Sequence, residues 1–131
     1  MIRGVVSGKE IRVRLYVHGS GAIRHEVEAI LDTGFNGYIT LPQSLIDILS
    51  LSYLYDDQTE LGDGSMIASC VYEGVVLWDG HDRNVDVQAS EGDILVGMTL
   101  LRGYRVCFDA IPDGPVTIEA IPMPPIGQNN P

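Results

Sequence analysis

The sequence predicts an all-β domain, mostly antiparallel, with one or two short helices, and three observations carry that prediction. Short runs rich in Val, Ile, Leu and Tyr alternate apolar with polar residues, the period of a strand with one dry face and one wet one. Gly-containing turns separate these runs, the clearest being Asp63-Gly64, Asp79-Gly80 and Asp113-Gly114. Both central positions of a type I′ turn need positive φ, which these residue types tolerate. Helical spacing is confined to two brief stretches.

Residues 2–6 form a first terminal strand. Residues 11–17 alternate cleanly, turn at His18-Gly19-Ser20-Gly21 and return through residues 26–31, which makes a hairpin. Pro42 suits the first position of a helix reaching Leu49, because Leu45, Ile46 and Leu49 then share one face. Residues 68–72 and 104–108 are strands that carry Cys70 and Cys107 as small buried hydrophobes. A second short helix covers residues 98–101 and stops at Gly103. Residues 116–121 are the last strand. Residues 1–121 are thus one domain. Residues 122–131 hold four prolines and make a flexible tail.

The elements also repeat. Strand, Gly turn, strand and an apolar step into a tight glycine occur from Ile11 to Gly34 and again from Cys70 to Gly97. This order implies a pseudo-twofold fold without sequence identity between its halves.

Composition removes several function classes. Lys and Arg number 8 against 18 Asp and Glu, a net charge of −10, so phosphate backbones and anionic membranes are repelled and nucleic acid is not the partner. No run approaches the roughly 18 apolar residues of a membrane span, and no signal-peptide block opens the chain. The expected location is therefore cytoplasmic, where a disulfide between Cys70 and Cys107 is not expected.

The informative stretch is Ala29-Ile30-Leu31-Asp32-Thr33-Gly34-Phe35-Asn36-Gly37. An ionisable Asp follows an apolar strand directly and precedes a hydroxyl and a glycine, a place where burial makes charge expensive. Alone, the triplet also fits an ordinary strand end. Further along, Ile94-Leu95-Val96-Gly97-Met98-Thr99-Leu100-Leu101 carries an apolar run through a glycine into a helix, and the hairpin Gly62-Asp63-Gly64-Ser65 lies between the two.

This order resembles the retropepsin-like aspartic proteases, single-domain homodimeric relatives of pepsin, from about Ile11 to about Glu119. The resemblance implies an acid-protease barrel, a homodimer, a peptide or protein substrate, and neither cofactor nor metal. It makes Asp32, Thr33 and Gly34 the catalytic turn, with Asp32 meeting its mate across a twofold axis and Thr33 bonding across the interface. Gly62, Asp63, Gly64 and Ser65 become a flap that closes over substrate and excludes water. Phe35, Asn36 and Gly37 border the substrate, and Gly97 lets its apolar loop pack under the Asp turn. An extended peptide would lie between flap and floor, bound through its main chain.

The likeness has departures. Phe35 stands where viral members carry a small residue, while Asn36 and Met98 replace an acidic residue and an arginine that pair near their interface. The interface must be built differently, and peptide specificity does not carry over. Gly34-Phe35-Asn36-Gly37 followed by Thr40-Leu41-Pro42 looks closer to small bacterial-type aspartic-protease-like proteins. A catalytically silent dimerisation or peptide-binding module on the same fold is the alternative.

Other chemistries fit less well. His18 and His25 flank one turn and could face each other, and His81 follows another, but no Cys-x-x-Cys or His-Glu-x-x-His gathers metal ligands. Asp56-Asp57 through Gly64 lacks calcium-loop spacing and reads as a solvated acidic loop. Neither Gly-x-Ser-x-Gly nor a complete dinucleotide fingerprint occurs, since Ser20 and Ser65 sit in hairpin turns and Gly19-Ser20-Gly21 lacks its third glycine. Trp78, Tyr53, Tyr55 and Tyr72 do not align with basic residues as a base-stacking surface would.

Overall fold

The computed structural model of the chain describes residues 1–21, 23–60 and 63–122. The elements are β1 (Ile2–Ser7), β2 (Glu10–His18), β3 (His25–Leu31), β4 (Ile39–Leu41), α1 (Gln43–Ile48), β5 (Ser52–Glu60), β6 (Met66–Trp78), β7 (His81–Ala89), β8 (Leu95–Val96), α2 (Met98–Leu101), β9 (Tyr104–Phe108) and β10 (Pro115–Ala120). The strands join in the order β5-β6-β7-β4-β8-β3-β2-β1-β10-β9, and β6 also pairs with β2. Among the described residues no helix is long and apolar enough to cross a membrane.

Alternation builds the hairpins. In β2, Val13, Leu15 and Val17 are buried while Arg14 and Tyr16 are exposed, and β3 returns antiparallel with Val13 opposite Ala29 and Leu15 opposite Val27. In β6 and β7 the inward residues are Val76, Trp78, Val85 and Val87. Trp78 is fully buried, with the Tyr104 ring edge-on at 5.7 Å.

The centre of the sheet departs from the antiparallel rule. β3 runs parallel to β8, with Leu31 beside Val96, and β4 runs parallel to β7, with Ile39 beside Val87. β4 and β8 are antiparallel neighbours at Ile39 and Val96. Each half therefore passes from a hairpin (β2-β3 or β6-β7) through a loop into a short strand (β4 or β8) and then a helix (α1 or α2). Each short strand pairs in parallel with the other half's hairpin. This is the pseudo-twofold that the repeat of elements implies, with one correction: Gly97 precedes α2 as Pro42 precedes α1, so its counterpart is Pro42 and not Gly34.

Other expectations shift locally. Pro42 is the extended N-cap of α1 (φ −68, ψ 149) and not its first helical residue; its carbonyl accepts the N–H groups of Leu45 and Ile46. Positive φ at both turn positions occurs at Asp79 (53°) and Gly80 (81°), whereas at Asp113-Gly114 only Asp113 (59°) is left-handed. Asp56 and Asp57 lie within strand β5, opposite Cys70 and Ser69, and not in a loop. The β-formers Tyr53 and Tyr55 carry that segment into the sheet, and an outer strand tolerates charge, which blocks edge-to-edge pairing. Cys107 is exposed instead of buried, because β9 is the other outermost strand; Cys70 is partly buried, and both thiols are free. The terminal strands β1 and β10 pair with each other, Ile2 opposite Ile118. The tail expected over 122–131 lies, from residue 123 on, outside the described residues.

Candidate active site

β3 ends at Leu31, and the chain turns there because β4 must begin on the far side of β8. The turn is held on both flanks by backbone hydrogen bonds. Asp32 N–H donates to the Val96 carbonyl at 2.9 Å, and one turn later Met98 N–H donates to the Phe35 carbonyl at 2.8 Å. Gly97 N–H donates to Tyr38 O at 3.0 Å, Thr99 N–H to Gly37 O at 3.2 Å, and the Thr99 hydroxyl to Asn36 O. The Asp loop and the start of α2 are thus one hydrogen-bonded unit.

Within that unit the Asp32 carboxylate folds back, and its Oδ1 accepts the Gly34 N–H at 2.8 Å. This orients the side chain without a cation. Thr33 and Gly34 are exposed and Asp32 is only partly buried. The expectation of a buried Asp is therefore not met within one chain, because the turn projects from the end of the sheet.

Gly97 is buried beneath the turn, where a β-carbon would come within 2.6 Å of both Phe35 Cδ2 and Phe35 O. Its role is to let the two loops touch. The connection before β8 is fixed by Thr40, the one polar side chain buried among the described residues. Its hydroxyl donates to Asp93 O at 3.1 Å and accepts the Leu95 N–H at 2.9 Å. Sequence reasoning noted Thr40 beside Leu41 and Pro42 but gave its hydroxyl no role, and a threonine between apolar neighbours in a three-residue strand is a weak signal.

Two clefts flank the Phe35 ring. The larger, about 480 Å³, is lined by Phe35, Thr40, residues 67–70 of β6, residues 88–91 and Leu95. The smaller, about 180 Å³, is lined by Phe35, Gly37, Tyr38, Tyr55, Asp57, Val71, Asp86, Gln88 and Thr99. Phe35 thus lines both clefts and Gly37 the smaller one, and Asn36 is exposed beside them. The stems of the β5-β6 hairpin contribute Tyr55, Asp57 and residues 67–70, none of which the motif pointed to. β7 adds Asp86 and Gln88, whose signal was the polar stripe Asp82, Asn84, Asp86, Gln88 alternating with buried Val85 and Val87.

At the hairpin tip, Asp63, Gly64 and Ser65 are exposed, and Gly64 is left-handed at φ 86°. Asp63 Oδ1 accepts the Ser65 hydroxyl at 2.6 Å and the Ser65 N–H at 2.9 Å. These bonds, the hydroxyl first, hold the Asp63 carboxyl below its usual range. Gly62 lies outside the described residues. Tyr55 donates its hydroxyl to Asp86 Oδ2 at 2.8 Å, and that bond raises its phenol above the usual value.

The histidines do not assemble. His25 stands opposite Val17, and His18 stands opposite Val75 with its Nε2 3.6 Å from Asp82 Oδ1. Among the described residues no three His, Cys, Asp or Glu side chains converge as a metal site.

No family model matches the chain, and no curated protein matches it at a significant level. A retropepsin-like aspartic protease from Rickettsia conorii is similar in structure, with a TM-score of 0.52 and 17% identity over 92% of this chain and 91% of that one. The likeness covers most of the chain, which accordingly has the retropepsin-like fold.

Proposed function

We propose that the chain is an aspartic endopeptidase whose active centre is completed by a second copy of itself. One observation carries this reading: Asp32 sits on a surface turn pinned to β8 and α2, its carboxylate oriented by Gly34 N–H, and the same loop continues into Phe35, which lines two clefts together with residues of the β5-β6 hairpin. A single chain supplies one carboxylate, and the exposed face of Thr33 and Gly34 is the surface a symmetric mate would cover.

Two carboxylates about 4 Å apart repel by roughly 4 kcal/mol at an effective dielectric of about 20. Such a pair keeps one shared proton over a wide pH range, and its titration belongs to the pair. The ionised Asp32 takes a proton from water while the protonated Asp32 of the mate polarises the scissile carbonyl; the proton then passes to the leaving amine. Thr33 holds the two turns in register, Gly34 lets the substrate backbone approach, and the hairpin tip at Asp63, Gly64 and Ser65 closes over the bound peptide. In this reading the terminal strands β1 and β10 add to the interface.

Sedimentation joined to a mixed-peptide cleavage assay from acidic to neutral pH tests this. A dimer that cleaves, with cleavage abolished in Asp32→Asn, supports the proposal. Cleavage that survives the substitution overturns it, and dimerisation with peptide binding but no cleavage makes the chain a binding module.

A further inference from the structure

We infer that the smaller cleft beside Phe35 is a subsite for a basic peptide side chain, lysine or arginine, walled off from the larger cleft by Phe35 and Gln88. The inference rests on the endopeptidase reading for its setting and on the cavity for its chemistry.

The wall is rigid. Phe35 and Gln88 line both clefts. The Phe35 ring is trapped against two glycines, since a β-carbon at Gly37 or at Gly97 would come within 2.6 Å of it. Gln88 is tied down by donating its Nε2 hydrogen to Ser69 Oγ at 3.0 Å. What lies behind this wall is a separate cavity of about 180 Å³, room for one long side chain.

Its lining selects charge. The aromatic rings of Phe35, Tyr38 and Tyr55 share it with the carboxylates of Asp57 and Asp86, and no Lys or Arg lines it. Asp86 Oδ2 is taken by the Tyr55 hydroxyl and Asp57 Oδ1 by the Gln58 N–H at 2.9 Å, which leaves the second oxygen of each for a ligand. Arg83 rests over the Tyr38 ring at 5.9 Å. Strand alternation puts it on the opposite face of β7 from Asp86 and Gln88, outside this lining.

A guanidinium or ammonium entering the cavity meets aromatic faces and carboxylates together. A neutral side chain of equal length would cover the two carboxylates without pairing them, a cost that turns complementarity into discrimination. The chain's net charge of −10 favours the same class of peptide.

The test uses peptides identical except at one position, scanned along the peptide, that carries lysine, arginine, norleucine or glutamate. Cleavage is measured with the native chain and with Asp57→Asn/Asp86→Asn, and binding of the same peptides with Asp32→Asn. At one position lysine or arginine is preferred over norleucine by about tenfold or more in kcat/KM, mostly through KM. The double substitution reduces that preference to near unity, and added salt weakens it. Cleavage without any basic preference, or a preference that persists in the double variant, overturns the subsite and leaves the endopeptidase reading standing. Charge-selective binding to Asp32→Asn with no cleavage by the native chain upholds the subsite and removes the endopeptidase. Neither cleavage nor binding overturns both.

Discussion

Gly97 lies directly beneath Phe35: a β-carbon on this glycine would sit 2.6 Å from the ring carbon Cδ2 and 2.6 Å from the Phe35 carbonyl oxygen. Two loops far apart in sequence are thereby pressed into one rigid unit, with Asp32 at its rim. The backbone at Gly97 is extended (φ −104, ψ −179) and open to any residue, so the need for glycine here is one of space.

Gly97→Ala should therefore destabilise the fold by about 1–3 kcal/mol, the usual cost of forcing extra volume into a packed site. Urea denaturation would show a lower midpoint with an unchanged slope. A midpoint equal to that of the native chain would mean that the loops separate freely.

Thr40 gives a second stability prediction. Thr40→Val keeps the shape and strands both the Leu95 N–H and the Asp93 carbonyl, at a cost of about 1–3 kcal/mol. Thr40→Ser keeps the hydroxyl and should lose less. Equal losses in the two variants would place the effect in the methyl group instead.

The β5-β6 tip yields a titration prediction. Because Ser65 donates to the Asp63 carboxylate, Asp63 in the folded chain titrates below the ordinary Asp value. The sign follows by linkage: the turn is favoured at pH above the unfolded-state value and loses that support as pH falls through the lower folded value. Carboxyl NMR of Ser65→Ala should show the Asp63 midpoint moving up. An unmoved midpoint would mean the Ser65 hydroxyl bond is absent in solution.

At the cleft, Asp86→Asn should bring the Tyr55 phenol down towards its ordinary value, since the bond to Asp86 is the largest cause of its elevation. Ultraviolet titration of tyrosinate would register the change. A phenol that still titrates late would place the elevation in burial and the Asp57 charge instead.

The β2-β3 hairpin, both helices and the Asp turn were legible because each has a local signature: alternation, helical spacing, or a carboxylate after an apolar strand. What stayed hidden is non-local. β4 and β8 have three and two residues, and buried Ile39, Thr40, Leu41 and Val96 do not alternate. Nothing in their own residues declares the parallel pairing with β7 and β3, which both-face burial permits. Asp56 and Asp57 read as loop because local propensity was followed, and the pairing of β5 with β6 overrides it. The partial exposure of Asp32 was hidden for the same reason, since a turn's burial depends on what else reaches the sheet end. Phe35 was recognised as a departure at the cleft, but the wall it builds with Gln88 depends on a strand elsewhere in the chain.

The most direct measurement is the peptidase activity of mixtures of the native chain and Asp32→Asn at fixed total concentration. If each site takes one Asp32 from each of two chains, activity falls with the square of the native fraction, to about a quarter at equal mixing. A linear fall, to about half, would contradict a site shared between two copies.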